Sequence, residues 1–295
     1  MDRAKSTLEQ WRILQAVIDF GGYAQAAQKL NKSQSSLNHA VAKLQQQLGV
    51  SLLEVHGRKA QLTPTGEVLL RHSRLVTQSV NHLESLATNL QKGWEPTLTL
   101  AREIIYPIDD LICALDAFLP QSRGTRVTIL DSVITGTQEH IKDKSVDLAI
   151  CGGVPPKGHL AEPLCDVFFL LVCHSSHPLA ALDHIENDQI LAQHLQIVIK
   201  DTARHQTSDL GWLKAEQRWT VSNFHEAIKI LKKGIGFCWI PSQLIATDLE
   251  KGELTQLTLA GNTQRKAMLS LVVPNRDEQG PAAKLLESLI LAQHA

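Results

Sequence analysis

Apolar residues recur every three or four positions in three stretches at the start of the chain, which predicts three amphipathic helices. The first follows a cap at Ser6 or Thr7 and ends at the glycine pair 21–22. The second covers about 24–30 and is rich in alanine, so a neighbouring helix can approach it closely. The third is capped by Ser33 and runs to about residue 48. Two short helices joined by a tight turn predict a helix-turn-helix.

The outward face of the third predicted helix carries short polar side chains and a cation. Such groups can read base edges and neutralise phosphates, although a solvated helix face is the alternative. Strand-like segments at 51–55 and 60–63 flank a turn at 56–59, which predicts a β-wing with two cations. The candidate DNA-binding residues are Lys32, Ser33, Gln34, Ser35, Ser36, Asn38, His39, Lys43, Arg58 and Lys59.

A long helix is predicted after the wing, with Thr63 as its cap and Pro64 in its first turn, reaching about Lys92. Its apolar residues recur alternately every four and three positions, with Ser73 in the same series, which predicts a helix-pairing seam between two subunits. Packing on the chain's own body is the alternative. The candidate dimerisation residues are Leu69, Val76, Val80, Leu83, Ala87 and Leu90.

The remainder alternates strand-like and helix-like segments, which predicts an open parallel sheet. A hinge is predicted at 93–96. The first group comprises strands at about 97–101, 126–130 and 146–150 and helices at about 108–119 and 134–143. A buried strand at 167–173 is expected to lead into a second lobe that holds the segments 196–199 and 236–241 and a helix at 225–233. A strand at 268–273 and a helix at 282–292 are expected to return to the first lobe.

Charge is unevenly distributed along these 295 residues. Residues 1–92 hold 11 basic and 6 acidic side chains, whereas residues 93–295 hold 18 and 24. A basic head on an acidic body indicates a module that binds a polyanion. The longest apolar run has seven residues and the start carries no signal-peptide pattern, so we expect a cytoplasmic protein without a membrane partner.

Residues 7–66 resemble the winged helix-turn-helix of LysR-type transcriptional regulators. The resemblance rests on four segments and two single leucines: 26–30 (AAQKL), 33–37 (SQSSL), 48–50 (LGV) and 62–66 (LTPTG), with Leu44 and Leu52 between them. The chain departs from the family pattern at 53–55, where a cation near the wing is missing, and at 45–47, where glutamines replace acids. The resemblance implies a sequence-specific DNA-binding regulator.

The family resemblance extends over the whole chain and implies an α/β protein in three parts. These are a helix-rich winged helix-turn-helix domain (1–63), a linker and dimerisation helix (64–92), and a two-lobed α/β regulatory domain (93–295) with the architecture of periplasmic solute-binding proteins. Lobe I is expected at about 93–165 and 268–295, and lobe II at about 166–267. The features that match in this part are 147–150 (DLAI), 177–180 (HPLA) and 234–241, from Gly-Ile-Gly to Ile-Pro.

In such folds a small effector binds between the lobes, at strand ends and helix N-termini. Family position implies an effector site formed by Ala101, Arg102, Glu103, Ser132, Val133, Asp201, Thr202, Arg204, Asn223 and Phe224. Two interpretations of Arg102 stay open: it clamps an anionic effector, or it pairs with Glu103 or with an acid on the other lobe. The segment 201–204 offers a cation and a hydroxyl to the cleft, or it is a solvated loop.

Enzyme classes lack sequence support. GxSxG, HExxH and P-loop motifs are absent and the thirteen histidines are dispersed, so we expect no catalysis, cofactor or metal. A regulator switched by oxidation of Cys165, Cys173 or Cys238 is a second possibility, against which stands the ordinary role of cysteine as a small buried apolar residue. The expected partners are operator DNA, a small-molecule effector for which an anion is one candidate, RNA polymerase, and further copies of the chain in a dimer or tetramer.

Overall fold

The computed structural model describes residues 4–56, 59–204, 214–260 and 264–295. The chain divides into two compact units, Met1–Gln91 and Lys92–Ala295. The described elements of the first unit are helices α1 (Leu8–Asp19), α2 (Tyr23–Lys29), α3 (Gln34–Leu48) and α4 (Pro64–Gln91), and strands β1 (Leu53–His56) and β2 (Lys59–Leu62). These bounds confirm the predicted order of three short helices, a two-stranded wing and one long helix.

Side-chain caps set where α1, α3 and α4 begin, whereas α2 begins after Gly22 without one. Of the two residues predicted to cap α1, Thr7 does so: its Oγ1 accepts from the N–H of Gln10 at 3.3 Å, and its own N–H donates to the Gln10 side chain at 2.8 Å. The Ser33 hydroxyl accepts from the N–H of Ser36 at 3.2 Å and begins α3. The Thr63 hydroxyl accepts from the N–H of Gly66 at 2.9 Å. Each cap satisfies a backbone donor that the helix itself leaves unpaired.

One apolar core holds these helices together and fixes the base of the wing. Leu14, Leu37, Leu44 and Leu52 are fully buried in it. The side-chain oxygen of Gln45 accepts from the N–H groups of Leu52 and Leu53 at 2.7 and 3.0 Å. The Gln45 side-chain amide therefore ties α3 to the start of β1.

The second unit contains nine described strands in one mixed sheet. The strands are β3 (Thr97–Glu103), β4 (Arg126–Ser132), β5 (Leu148–Gly152), β6 (Ala161–His174), β7 (Gln196–Ile199), β8 (Arg218–Val221), β9 (Phe237–Pro241), β10 (Leu254–Gln256) and β11 (Gln264–Val272). The helices are α5 (Ile108–Phe118), α6 (Thr135–Lys142), α7 (Asp188–Ala192), α8 (Phe224–Leu231), α9 (Ala246–Glu250) and α10 (Pro281–Ala292).

The sheet order is β4-β3-β5-β11-β6-β9-β7-β8, with β10 also paired to β6. Strand β3 is parallel to β4 and β5, and β7 is parallel to β8 and β9. Strands β6 and β11 are antiparallel to each other over almost their whole length and join these two groups. The sheet is therefore mixed, a correction to the open parallel sheet predicted from the alternation of strands and helices.

The two joining strands are longer than the sequence pattern predicts. Strand β6 begins at Ala161 rather than 167, and β11 begins at Gln264 rather than 268. The added residues are only partly buried and include polar side chains, so they form no continuous apolar run. Both strands cross the predicted lobe boundaries, after 165 and before 268.

The predicted hinge at 93–96 is anchored to the second unit. The Trp94 indole N–H donates to the Ser122 carbonyl at 2.9 Å and to the Thr125 hydroxyl at 2.8 Å. The Glu95 carboxylate accepts from the N–H groups of Ala282 and Ala283, which begin α10, at 2.8 and 3.1 Å. These contacts hold Trp94 and Glu95 of the predicted hinge against the second unit.

Candidate nucleic-acid interface and ligand cavity

Helix α3 presents the predicted reading residues on one exposed face. Leu37, Val41 and Leu44 are fully buried on the other side of the helix and pack into the core of the first unit. The face therefore combines a rigid support with accessible donors and acceptors, as a reading helix needs. The exposed residues are Gln34, Ser35, Ser36, Asn38, His39 and Lys43.

Two of the remaining predicted contacts have partners within the chain. Lys32 forms an ion pair with Glu9 of α1, and Ser33 is occupied as the cap of α3. Lys59 begins β2 and pairs in register with His56. Arg58 lies outside the described residues.

Helix α4 divides into a half that packs on α1 and a half whose apolar residues are exposed. The Ser73 hydroxyl accepts from Gln15 of α1 at 3.0 Å, and Thr77 donates to the same side chain at 3.2 Å. Leu69 is half-buried against the core of the first unit. The seam predicted from the spacing is thus wrong for Leu69 and Ser73, which contact the chain itself.

Further along α4, the side chains at the predicted seam positions are largely exposed to solvent. Val76, Leu83 and Leu90 are 56%, 62% and 45% exposed, Ala87 is exposed and Val80 is half-buried. No described residue of the first unit covers this stripe, so burying it requires another surface.

A cavity of about 340 Å³ lies in the second unit, at the ends of strands from both groups. Three predicted effector residues line it: Glu103 at the end of β3, Val133 after β4, and Phe224 at the start of α8. Residues of β6, β7, β9 and β11 complete its wall, among them Phe169, Ile197, Val198, Ile199, Trp239 and Ala267. Sequence reasoning did not single out these wall residues, although it placed the segment 196–199 in the second lobe.

Arg102 does not line the cavity. Side chains alternate along a strand, so Arg102 and Glu103 point to opposite faces of β3. The Arg102 guanidinium lies 2.6 Å from the carboxylate of Asp131, its register partner on β4, and its side chain is only 11% exposed. The prediction that Arg102 clamps an anionic effector is therefore corrected: it pairs with an acid, on the neighbouring strand rather than on the other lobe.

Glu103 is the buried acid of the cavity wall, with 3% of its surface exposed. Its Oε2 accepts from the N–H of Ile134 at 3.0 Å and from the Thr137 hydroxyl at 3.2 Å. Burial raises the pKa of this carboxyl to about 7, and the negative charge of Asp201 adds to the increase. At neutral pH the group is therefore close to the midpoint of its titration.

The first two residues of segment 201–204, Asp201 and Thr202, bond to residues 133–136 of lobe I. They are therefore not part of a solvated loop. The Asp201 carboxylate accepts from the N–H groups of Thr135 and Gly136 at 3.3 and 3.2 Å, and from the Thr135 hydroxyl. The Thr202 hydroxyl accepts from the N–H of Val133 at 2.9 Å. A β-carbon at Gly136 would lie 2.0 Å from the Thr202 hydroxyl oxygen, so only glycine allows this approach.

The other predicted effector residues have structural partners and do not line the cavity. Arg204 is 71% exposed and lies 3.9 Å from both Glu139 and Asp143. The Asn223 side chain caps α8 by accepting from Glu226 at 3.0 Å. The remaining two are buried: Ser132 bonds to the Thr137 hydroxyl at 2.7 Å, and Ala101 packs in an apolar cluster.

The cysteines of the redox alternative are poor nucleophiles. Burial raises the pKa of Cys173 to about 11 and that of Cys238 to about 12, and it also raises the pKa of Cys165. A thiol reacts as its thiolate, so such groups resist oxidation at neutral pH. Among the described residues no group of three or more His, Cys, Asp or Glu side chains forms a metal site.

Comparison with known families matches both units of the chain. Residues 8–67 match the bacterial regulatory helix-turn-helix protein of the lysR family, and residues 92–295 match the LysR substrate binding domain. The HTH-type transcriptional regulator YeeY of Escherichia coli K12, described as uncharacterized, is 28% identical over 270 residues, covering 88% of this chain and 85% of YeeY.

Two solved structures share the fold across the whole chain. Full-length LysG of Corynebacterium glutamicum has 16% identity and a TM-score of 0.53, with 98% of this chain and 97% of LysG covered. The virulence activator AphB of Vibrio cholerae has 16% identity and a TM-score of 0.52, with 98% and 100% covered.

The chain therefore belongs to the LysR family of DNA-binding transcriptional regulators, and it carries that family's substrate-binding domain. The relatives named here are transcriptional regulators. None of the helices in the described ranges is both long and apolar enough to cross a membrane.

Proposed function

We propose that α3 reads operator DNA in the major groove, with Gln34, Ser35, Ser36, Asn38 and His39 contacting base edges. Lys43 then neutralises phosphate, together with Lys32, Arg58 and Lys59. The observation that carries this proposal is the exposed polar face of α3, supported from behind by fully buried leucines. Phosphate contacts supply affinity and base-edge contacts supply discrimination.

The proposal divides the chain into a DNA-binding domain (1–63), a dimerisation helix (64–92) and an effector-binding domain (93–295). The exposed stripe Val76, Val80, Leu83, Ala87 and Leu90 pairs with the same stripe of a second copy. Such a dimer sets two α3 helices on successive turns of the duplex. The proposal also includes the pairing of two dimers into a tetramer. It further includes contact with RNA polymerase and action in the cytoplasm.

The effector site is proposed to be the cavity lined by Glu103, Val133 and Phe224. A small molecule held there contacts both strand groups, so it favours one of their arrangements by differential affinity. The published LysG structure with bound effector Arg supports the use of this fold as a ligand receptor.

Selection of bound fragments from random DNA, followed by fluorescence anisotropy, tests the DNA-binding proposal. Asn38→Ala should reduce discrimination between the selected operator and random DNA by about 1–3 kcal/mol. Lys43→Ala should weaken binding to both and reduce the salt slope by about one. Arg126→Ala, at the exposed start of β4 in the second unit, is a matched control that should change neither quantity. Equal loss on both DNAs for Asn38→Ala would contradict its reading role.

A further inference from the structure

Glu103 is a buried acid to which the described part of the chain supplies no cation. Two hydrogen bonds to its side chain, from Ile134 and Thr137, end on Oε2, and the backbone N–H of Ile104 also stabilises the carboxylate. The same N–H donates to the Ser132 carbonyl at 2.9 Å. No ion pair to Glu103 exists among the described residues, because the adjacent Arg102 turns to Asp131. A buried carboxylate without a counter-charge is costly even when it accepts hydrogen bonds, so the site lacks a cation when Glu103 is ionised.

The start of α6, where an anionic ligand group would bind, is already filled from within the chain. The N–H groups of Thr135 and Gly136 in its first turn donate to the Asp201 carboxylate. The preceding N–H, of Val133, donates to Thr202. The positive end of this helix is thus neutralised by a built-in carboxylate. A carboxylate ligand arriving here would meet Glu103 and Asp201 and find no free donor in this turn.

The two cations of the cavity wall are engaged elsewhere. The Lys266 ammonium lies 2.7 Å from the Asp166 carboxylate. The Arg265 guanidinium lies over the Trp239 ring, 4.2 Å from its centroid. Much of the remaining wall is apolar or aromatic, including Phe169 and Phe224. Among the described residues, the cavity therefore offers a largely apolar enclosure whose one acid, Glu103, has no cationic partner.

On the premise that this cavity is the effector site, we infer that the effector is an amine with an apolar or aromatic body. Its protonated nitrogen pairs with Glu103, and its body lies against the walls formed by β6, β7 and β11. A charge-assisted hydrogen bond to a buried carboxylate is among the stronger polar contacts in proteins. The pairing also offsets the cost of burying the ionised acid.

Tryptamine and indole-3-propionate are suitable probes, because they share a ring and a short chain but carry opposite charges. Calorimetric titration of the full chain at pH 8 should give at least about tenfold tighter binding of tryptamine. Glu103→Gln keeps the size of the side chain and should weaken tryptamine at least about tenfold. Glu162→Gln, an exposed acid on β6 outside the cavity, is the matched control and should leave both affinities unchanged.

The pH dependence gives an independent readout. Around Glu103, Asp201 and Cys151 are the groups that couple to it, while Arg265 and Lys266 share the cavity wall. Since an alkylammonium stays charged below pH 9, only the ionisation of Glu103 should govern its binding. Affinity for tryptamine should rise about tenfold from pH 6 to pH 8 and then level off. In Glu103→Gln the profile should be flat; an equally steep profile in that variant would overturn the inference.

A blocked cavity separates failure of this inference from failure of the proposed effector site. Val198→Trp fills the cavity, and Ala267→Phe does so from another strand if the first variant does not fold. If indole-3-propionate binds more tightly than tryptamine and both blocks abolish its binding, the cavity is the effector site but the amine class is wrong. If tryptamine binds the blocked variants as it binds the wild type, both ideas fail. Absence of tryptamine binding at millimolar concentration overturns the inference.

Discussion

Asp201→Ala removes the carboxylate that holds lobe II to the start of α6. The change deletes hydrogen bonds to the Thr135 and Gly136 N–H groups and to the Thr135 hydroxyl. Loss of a single side-chain cap costs about 0.5–2 kcal/mol. Asp201 is half-buried, so water replaces part of what is lost. We expect a loss of about 2 kcal/mol in the free energy of unfolding of the second unit.

Differential scanning calorimetry of the full chain measures this loss. For a domain of this size, 1 kcal/mol moves Tm by about 2–4 °C, so Asp201→Ala should lower Tm by about 4–8 °C. Asp201→Asn keeps one carbonyl oxygen as an acceptor and should lose less than half as much. Asp183→Ala removes an exposed acid with no contact in the described part of the chain and serves as the control. A Tm for Asp201→Ala within about 1 °C of the wild type would refute this account of the contact.

Three further expectations concern other regions. Leu83→Lys acts at a residue that is 62% exposed in the protomer, so it should dissociate the dimer in sedimentation without lowering helix content; an intact dimer would contradict the seam. Glu103 binds its proton more tightly in the folded than in the unfolded protein. The free energy of unfolding of the wild type should therefore fall, relative to that of Glu103→Gln, as pH rises from about 4.5 to about 7. A rise over this range would refute this. Iodoacetamide at pH 7 should modify exposed Cys113 but spare Cys173 and Cys238 in the native protein; rapid labelling of either would reopen the redox alternative.

Local chemistry made the first unit predictable from sequence. The caps at Ser33 and Thr63 act within three residues, and the burial of Leu37 and Leu44 follows from helical spacing alone. The predicted seam includes Ser73, which contacts Gln15 of α1 within the same chain. A heptad pattern cannot reveal such a contact.

The cavity depended on contacts that sequence distance conceals. Glu103, Val133 and Phe224 were expected at the effector site because of their position in the family pattern, and they do line the cavity. The partner of Arg102 follows only from the register of β3 with β4, and the reach of Asp201 to α6 spans 66 residues of chain. Pairing between distant segments is a property of the folded sheet, and no periodicity encodes it.

The antiparallel pair β6 and β11 has a mechanical consequence for signalling. Two continuous strands with paired backbones resist bending far more than two separate linkers would, so wide opening of the lobes would require breaking ladder hydrogen bonds. The ladder is irregular at one place, where the register shifts between Leu269 and Ser270. Ligand binding is therefore expected to twist the sheet slightly about this point. The response to a ligand would then be a small twist of the sheet within the second unit, and not a wide opening of the cavity.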